Sequence, residues 1–134
     1  MVDSKIQLFY WGGIRGAAQP ARYVLEYAQI PYEQTLYTND EDWFVRDKPT
    51  VKALLPNLPY IKDGDLLLTE HDALVRYLAR KFKPELLGST DAEFALAENI
   101  LAFWTKVYGT TVTLSYTPDV TEEQKVAHLK KYEN

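Results

Sequence analysis

Pro56-Asn57-Leu58-Pro59-Tyr60-Ile61 is the stretch on which the fold turns. Proline has no backbone N–H, so within a sheet it sits at the start of a strand, at an edge or at a bulge. Here the second proline opens an apolar run, and the Leu58–Pro59 bond is a candidate cis peptide. A cis bond would turn the N–H and C=O of Leu58 outward at a sheet edge, where an extended peptide can pair as an added strand. The plainer alternative is two prolines in an ordinary surface loop, and spacing alone leaves the two readings even. Downstream, Tyr60-Ile61, a turn at Lys62-Asp63-Gly64-Asp65 and Leu66–Thr69 read as a β-hairpin. Glu70 to Lys83 then reads as an amphipathic helix, with Ala73, Leu74, Tyr77, Leu78 and Phe82 on one stripe and Pro84 ending it.

Upstream, Lys5–Trp11 is short, apolar and aromatic, and reads as a buried strand. Gly12-Gly13 and Gly16 form a loop where backbone can bend or approach something closely. Ala21, Val24, Leu25 and Ala28 recur at helical spacing between Ala17 and Gln29; Pro20 falls in the first turn and Pro31 stops the helix. Tyr32–Tyr37 alternates as a second strand. Strand, helix and strand within this length make a βαβ unit with a parallel pair. Thr38 to Leu55, polar with Trp43 and Phe44 embedded, reads as loop with one short helix.

Beyond Pro84 the pattern becomes purely helical. Residues 84–90 read as a linker, and Thr90 with Glu93 as a capping-box start. That helix is expected to reach about Tyr108 or beyond, since the β-branched run Thr110–Thr113 weakens helix without forbidding it. Thr121-Glu122-Glu123-Gln124 starts another that runs to the chain end. The expectation is an α/β protein: a thioredoxin-like domain over 1–83, of order βαβ then ββα, with a four-stranded mixed sheet. Residues 91–134 would be part of an all-α domain.

Composition narrows the function classes. A chain of 134 residues is ample for one domain and short for two. A net charge of -4 argues against nucleic acid or an anionic membrane as main partner. No apolar run reaches the roughly 20 residues of a membrane helix. Met1-Val2-Asp3-Ser4-Lys5 lacks the basic-then-apolar pattern of a secretory leader, so the expected location is the cytoplasm. Zero cysteines exclude a disulfide framework, a thiolate zinc site, a Cys nucleophile and a Cys-x-x-Cys oxidoreductase. The two histidines, His71 and His128, lie too far apart in sequence to suggest a metal site. Any thiol chemistry must therefore use a thiol that arrives on a substrate.

Two further places carry chemistry. Thr69-Glu70-His71-Asp72 begins a helix, where free N–H groups suit a carboxylate ligand; a plain N-cap is the alternative. Tyr10 ends the first strand beside the glycine loop, and a phenol there can donate to a thiolate. Lowering a thiol pKa by two units takes about 2.7 kcal/mol, within reach of one charge-assisted hydrogen bond plus helix dipoles. With ten tyrosines in the chain, a core role is the alternative for Tyr10.

Taken together, Tyr10-Trp11, Ile14-Arg15-Gly16, Gln19-Pro20-Ala21-Arg22, Leu25-Glu26-Tyr27, Pro56–Tyr60 and Tyr77–Lys81 resemble the cytosolic glutathione transferases. The Tyr-Trp pair and the Pro-Asn-Leu-Pro-Tyr run look most like the mu class, with sigma as near neighbour. The resemblance covers the first 83 residues and continues more loosely to the end. It implies conjugation of the glutathione thiolate to electrophilic small molecules, as in detoxification, with glutathione as co-substrate and neither metal nor redox cofactor. Tyr10 would activate the thiol. Leu58, before Pro59, would pair by its backbone with the cysteinyl part, and Asn57 would sit beside it. Trp11, Trp43 and Lys48 would approach the glycine end. Glu70 and His71 fall where the family holds the γ-glutamyl group, and Ala17 and Tyr116 where it lines the pocket for a hydrophobic electrophile. A homodimer is expected where the full helical domain is present.

The match has departures. One extra residue lies between Tyr10 and Arg15, so a gapless alignment would put Trp11 in the tyrosine slot; Gly12-Gly13 can absorb it. His71 replaces a Ser or Thr hydroxyl, Asp40 a basic residue, and Lys106 an acidic one. Family members carry several more helices, so Ala95, Leu96, Ile100, Leu101, Phe103 and Trp104 would form a sizeable apolar face. The alternative is a non-catalytic binding or interaction protein on the same scaffold, its activity lost with the missing helices.

Overall fold

The computed structural model describes residues 5–132. Strands β1 (Ile6–Trp11), β2 (Tyr32–Tyr37), β3 (Tyr60–Asp63) and β4 (Leu66–Thr69) form one sheet in the order β2-β1-β3-β4. β1 runs parallel to β2 with Ile6 opposite Tyr32 and Trp11 opposite Tyr37; β3 is antiparallel to both β1 and β4. The helices are α1 (Gln19–Tyr27), α2 (His71–Phe82), α3 (Asp91–Tyr116) and α4 (Glu122–Lys130). This is the expected βαβ-ββα order with a mixed sheet, followed by helices. Most of the leader reading, Met1 to Ser4, and the last two residues, where α4 was expected to continue, lie outside the described residues.

Strand alternation sends side chains to two covered faces. Ile6, Leu8 and Tyr10 of β1, with Ile61 of β3, join Ala21, Val24 and Leu25 of α1 and Leu74, Leu78 and Ala79 of α2 in the buried core. On the other face Phe9 stacks on Tyr60, centroids 4.1 Å apart, and Trp43 lies against Tyr37 and Tyr60. Trp43 comes from the connector after β2, which holds a seven-residue helical turn, Glu41–Asp47, and a 3-10 turn, Lys48–Thr50, where one short helix was expected. The Lys62–Asp65 turn is tighter than expected: strand pairing continues through Asp63 and resumes at Leu66. Asp63 stays buried because it is paired. Tyr77 (2.5 Å) and Lys81, both on α2, donate to its Oδ2. Burial raises the Asp63 carboxyl, but those two donors outweigh it and hold the group below its ordinary value.

The 84–90 linker contains a 3-10 turn, Pro84–Leu87. Thr90 caps α3, accepting from Glu93 N–H at 3.2 Å. The reciprocal half of the box differs from expectation, since Glu93 Oε2 accepts from the N–H of Ser89 (2.7 Å). α3 runs unbroken through Thr110–Thr113, whose threonine hydroxyls donate back to its own carbonyls: Thr110 to Lys106, Thr111 to Val107 (2.8 Å) and Thr113 to Gly109. α3 meets the first domain through a two-pronged ion pair between Arg76 and Glu98 (2.8 Å) and a Thr105–Asp72 hydrogen bond (2.6 Å). α4 starts with a complete capping box at Thr121 and Gln124. It is fastened to α3 where His128 Nε2 lies 3.1 Å from Thr111 Oγ1 and the Tyr132 hydroxyl lies 2.9 Å from Thr110 Oγ1.

Candidate active site

Tyr10 is near the end of β1 and only 6% exposed. Its phenol oxygen accepts a hydrogen bond from the Ala17 N–H, 2.9 Å away. Ala17 lies in a single 3-10 turn, Gly16–Ala18, that leads into α1. Gly16 makes the approach possible: its φ is +42°, and a β-carbon there would collide with the phenol oxygen. With that oxygen accepting from backbone, the phenol hydrogen remains to be donated, and accepting one bond strengthens the donation of the next. Among the described residues Tyr10 donates to none. The Arg22 guanidinium lies 5.9 Å over the Tyr10 ring.

Trp11 points the other way. Its ring meets Tyr37 edge-on at 6.2 Å and Phe44 at 5.9 Å, on the connector face of the sheet. The alternation of β1 therefore separates the two candidates for the tyrosine slot, and it is Tyr10 that stands beside the Gly16–Ala17 turn.

Next to that turn is a cavity of about 210 Å³ between the starts of α1 and α2 and the middle of α3. Gly16, Ala17, Gln19, Pro20, Tyr23, His71, Trp104 and Tyr108 line it. Trp104 stacks on Tyr108 at 5.9 Å, and the His71 ring lies 5.6 Å from Tyr108. Burial first, and then the nearby Tyr10 and Tyr116, push the Tyr108 phenol up, so it stays protonated and is a donor at neutral pH.

The hairpin edge carries the other candidates, outside the lining of that cavity. The Leu58–Pro59 bond is cis. Both side chains are buried, while Asn57 and Glu70 are exposed beside them. Asn57 Nδ2 donates to Glu70 Oε1 at 3.2 Å. Glu70, the cap residue of α2, has φ +69°. A non-glycine residue in that region costs on the order of 1–3 kcal/mol, and such strain clusters at functional sites. Its side chain does not cap α2, so the first N–H groups of the helix are not taken up by it. His71 follows, and its Nε2 is buried 3.0 Å from Asp72 Oδ1 without a hydrogen bond.

The structure thus brings Ala17 and His71 around one cavity, with Tyr10 behind the lining and bonded to Ala17, and places Asn57, Leu58, Pro59 and Glu70 along one edge. It does not bring in Trp43, which is 1% exposed and belongs to the core. Trp11 and Lys48 both pack on Phe44, the Lys48 ammonium 5.3 Å over its ring. Tyr116 is 76% exposed and lines no part of the cavity. It is two turns beyond Tyr108 on α3, about 12 Å along the axis. Trp104 and Tyr108 take the wall position instead. Their four-residue spacing on one helix face was the available signal.

Comparison with known proteins bears on this arrangement. The model of the glutathione S-transferase N-terminal domain matches residues 6–80. Glutathione S-transferase 2 of Gallus gallus is 33% identical over 133 residues, 94% of this chain and 58% of that protein. The class-mu 26 kDa isozyme of Schistosoma japonicum is 44% identical over 89 residues, 66% of this chain and 39% of that protein. Among solved structures, a C. elegans glutathione transferase superposes with a TM-score of 0.76 at 26% identity, covering 95% of this chain and 63% of that one. A Nu-class enzyme from Haemonchus contortus gives 0.68 at 30% identity, covering 78% and 48%. The chain therefore spans between 39% and 63% of the length of these relatives. With more than half of its own residues matched by the domain model, this chain belongs to the glutathione S-transferase family through its N-terminal domain.

Proposed function

We propose that the chain binds glutathione between the Asn57–Pro59 edge and the start of α2, and that Tyr10 activates the bound thiol. The observation that carries this is the Ala17 N–H donating to the Tyr10 oxygen, which leaves the phenol hydrogen for an incoming thiolate. The thiol proton leaves to solvent. The thiolate sulfur forms a bond to an electrophilic carbon, and the leaving group departs with the bonding electrons. The protein's part is positioning and stabilising charge.

In this reading Leu58 pairs by its backbone with the cysteinyl unit, and Asn57, Glu70 and His71 take the γ-glutamyl end. Lys48 and Trp11 lie toward the glycine carboxylate, with Trp43 as the floor beneath. The hydrophobic electrophile rests against Ala17, Trp104 and Tyr108, and Tyr116 meets only a longer substrate. No metal or redox cofactor is required. The cytoplasm is the proposed compartment and a homodimer the proposed assembly of the whole protein.

Calorimetric titration of glutathione into the purified chain tests binding, and thioether formation with a chlorodinitrobenzene tests turnover. Tyr10→Phe should lower kcat/KM about 100-fold or more while leaving the glutathione Kd within about twofold. Unchanged turnover removes Tyr10 from the role. The second reading is binding without turnover, favoured by His71 standing where the resemblance expects a hydroxyl. Affinity without conjugation would establish it.

A further inference from the structure

The Gly16–Ala18 turn that aims the Ala17 N–H at Tyr10 has little of its own to hold it. Gly13 and Gly16 both have positive φ, +78° and +42°. Ile14 and Arg15 between them are exposed, and no side chain caps the turn. One backbone bond closes it, from the Gln19 N–H to the Gly16 carbonyl. Segments with few packed side chains open at low free-energy cost. A hydrogen bond that must stay directed from such a turn needs a second fastening.

Arg22 supplies it. This half-buried residue of α1 reaches back over the turn. Its Nη1 donates to the Arg15 carbonyl at 3.1 Å and to Gln19 Oε1 at 3.2 Å. Its Nε donates to Gln34 Oε1 of β2 at 2.8 Å. Gln34 is registered with Leu8, two residues before Tyr10 on β1. The guanidinium also stands 5.9 Å over the Tyr10 ring, within range of cation–π attraction. One side chain therefore bridges the turn, the helix start and the sheet, and flanks the phenol that the turn serves. All three acceptors are neutral, so no carboxylate explains the position of this arginine. A guanidinium makes these bonds together because its donors are spread along a rigid fork; the point ammonium of a lysine does not span them.

We propose that Arg22 is a positioning residue for the thiol-activating phenol. It touches no substrate. It pins the Arg15 carbonyl, so that the Ala17 N–H two residues on stays directed at the Tyr10 oxygen, and the phenol hydrogen stays free for the ligand. The inference rests on the Tyr10 reading above and adds the residue through which the fold enforces it.

Hydrogen exchange in the ligand-free chain reads the fastening directly. Arg22→Ala should speed exchange of the Ala17 amide about tenfold and leave that of Leu8 in β1 unchanged. Unchanged protection at Ala17 overturns the proposal and leaves the Tyr10 reading standing. Function is read with glutathione and a chlorodinitrobenzene. Arg22→Ala should lower kcat about tenfold, with the glutathione KM within about twofold, because the Asn57–Pro59 edge lies elsewhere. Arg22→Lys keeps the charge without the fork and should lose about threefold in kcat; wild-type kcat in that variant overturns the proposal. It also carries both measurements if Arg22→Ala does not fold. In a Tyr10→Phe background there is no phenol to hold, so adding Arg22→Ala should lower kcat no further. A second loss of the same size would mean that Arg22 acts through the fold at large, and the proposal fails. If Tyr10→Phe alone is as active as wild type, the Tyr10 reading falls and Arg22 has nothing to position.

Discussion

The sheet with its two helices and the long helix that follows are built from similar residues and end in opposite states. Leu8, Leu25, Ile61, Leu74 and Leu78 have no exposed surface. α3 carries Phe94, Leu96, Ile100, Phe103 and Trp104 and buries none of its residues. A strand or helix with one apolar stripe needs one partner, which the βαβ-ββα layer supplies to itself. A helix that is apolar on several sides must be covered from several sides. Its hydrogen-bonded contacts with α2 are at Arg76–Glu98 and Asp72–Thr105, beside the packing of the His71 ring on Tyr108. The same pattern of side chains thus marks a finished core in one region and an unfinished one in the other.

The largest expected effect tests that contrast directly. Leu8→Ala should cost about 3 kcal/mol in urea unfolding, while Leu96→Ala, 62% exposed, should change stability by less than about 0.5 kcal/mol. Similar losses at both positions would break the comparison. Gly16→Ala sits at the seam between fold and site. A β-carbon at φ +42° pressed against the Tyr10 oxygen should cost about 1–3 kcal/mol and displace the phenol from Ala17. Loss of turnover without loss of stability would show that the collision is absorbed locally.

Asp63 sharpens the account of the first region. Its carboxyl is held below its ordinary value, so its contribution is present above the unfolded-state pKa of about 3.9 and is lost as pH falls through the lower folded-state value. Asp63→Asn should cost about 1–2 kcal/mol at pH 7 and less at pH 3, because the wild type loses the same contribution on acidification. An equal gap at both pH values would mean the ion pair adds nothing. The smallest effect is expected at the join. Arg76 and Glu98 are each about one third exposed, so Arg76→Ala should cost at most about 1 kcal/mol. Hydrogen exchange should quicken in α3 and remain slow in β1.

Much of the fold was legible because its signals are local. The hairpin, the α1 and α2 stripes and the Thr121 helix start all follow from residues within one turn or one strand of each other, and on the same local grounds the Leu58–Pro59 bond was a candidate cis peptide. The site was half legible for the same reason. Asn57 and Glu70 belong to motifs that could be read, and the geometry joins them. The Ala17–Tyr10 bond could not be read, since it depends on a strand end and a turn meeting in space with Gly16 making room. Nor does the sequence say which way an aromatic ring points. Trp43 looked like a ligand contact and is a core residue, because the connector folds onto the sheet and needs an anchor there. Tyr116 looked like a pocket wall, but the position of α3 gives that place to Trp104 and Tyr108, about three and two turns earlier.

The threonines of α3 have a consequence for α4. A hydroxyl owns a single hydrogen, and Thr111 has committed its own to the Val107 carbonyl. With its hydrogen so placed, Thr111 offers His128 lone pairs, and the Nε2–H tautomer of the ring is the one that completes the contact. Thr110 stands in the same position toward Tyr132. In that arrangement both attachments run in one direction, with the hydrogens supplied from the α4 side. The joint between the two helices then has a polarity that neither helix shows by itself.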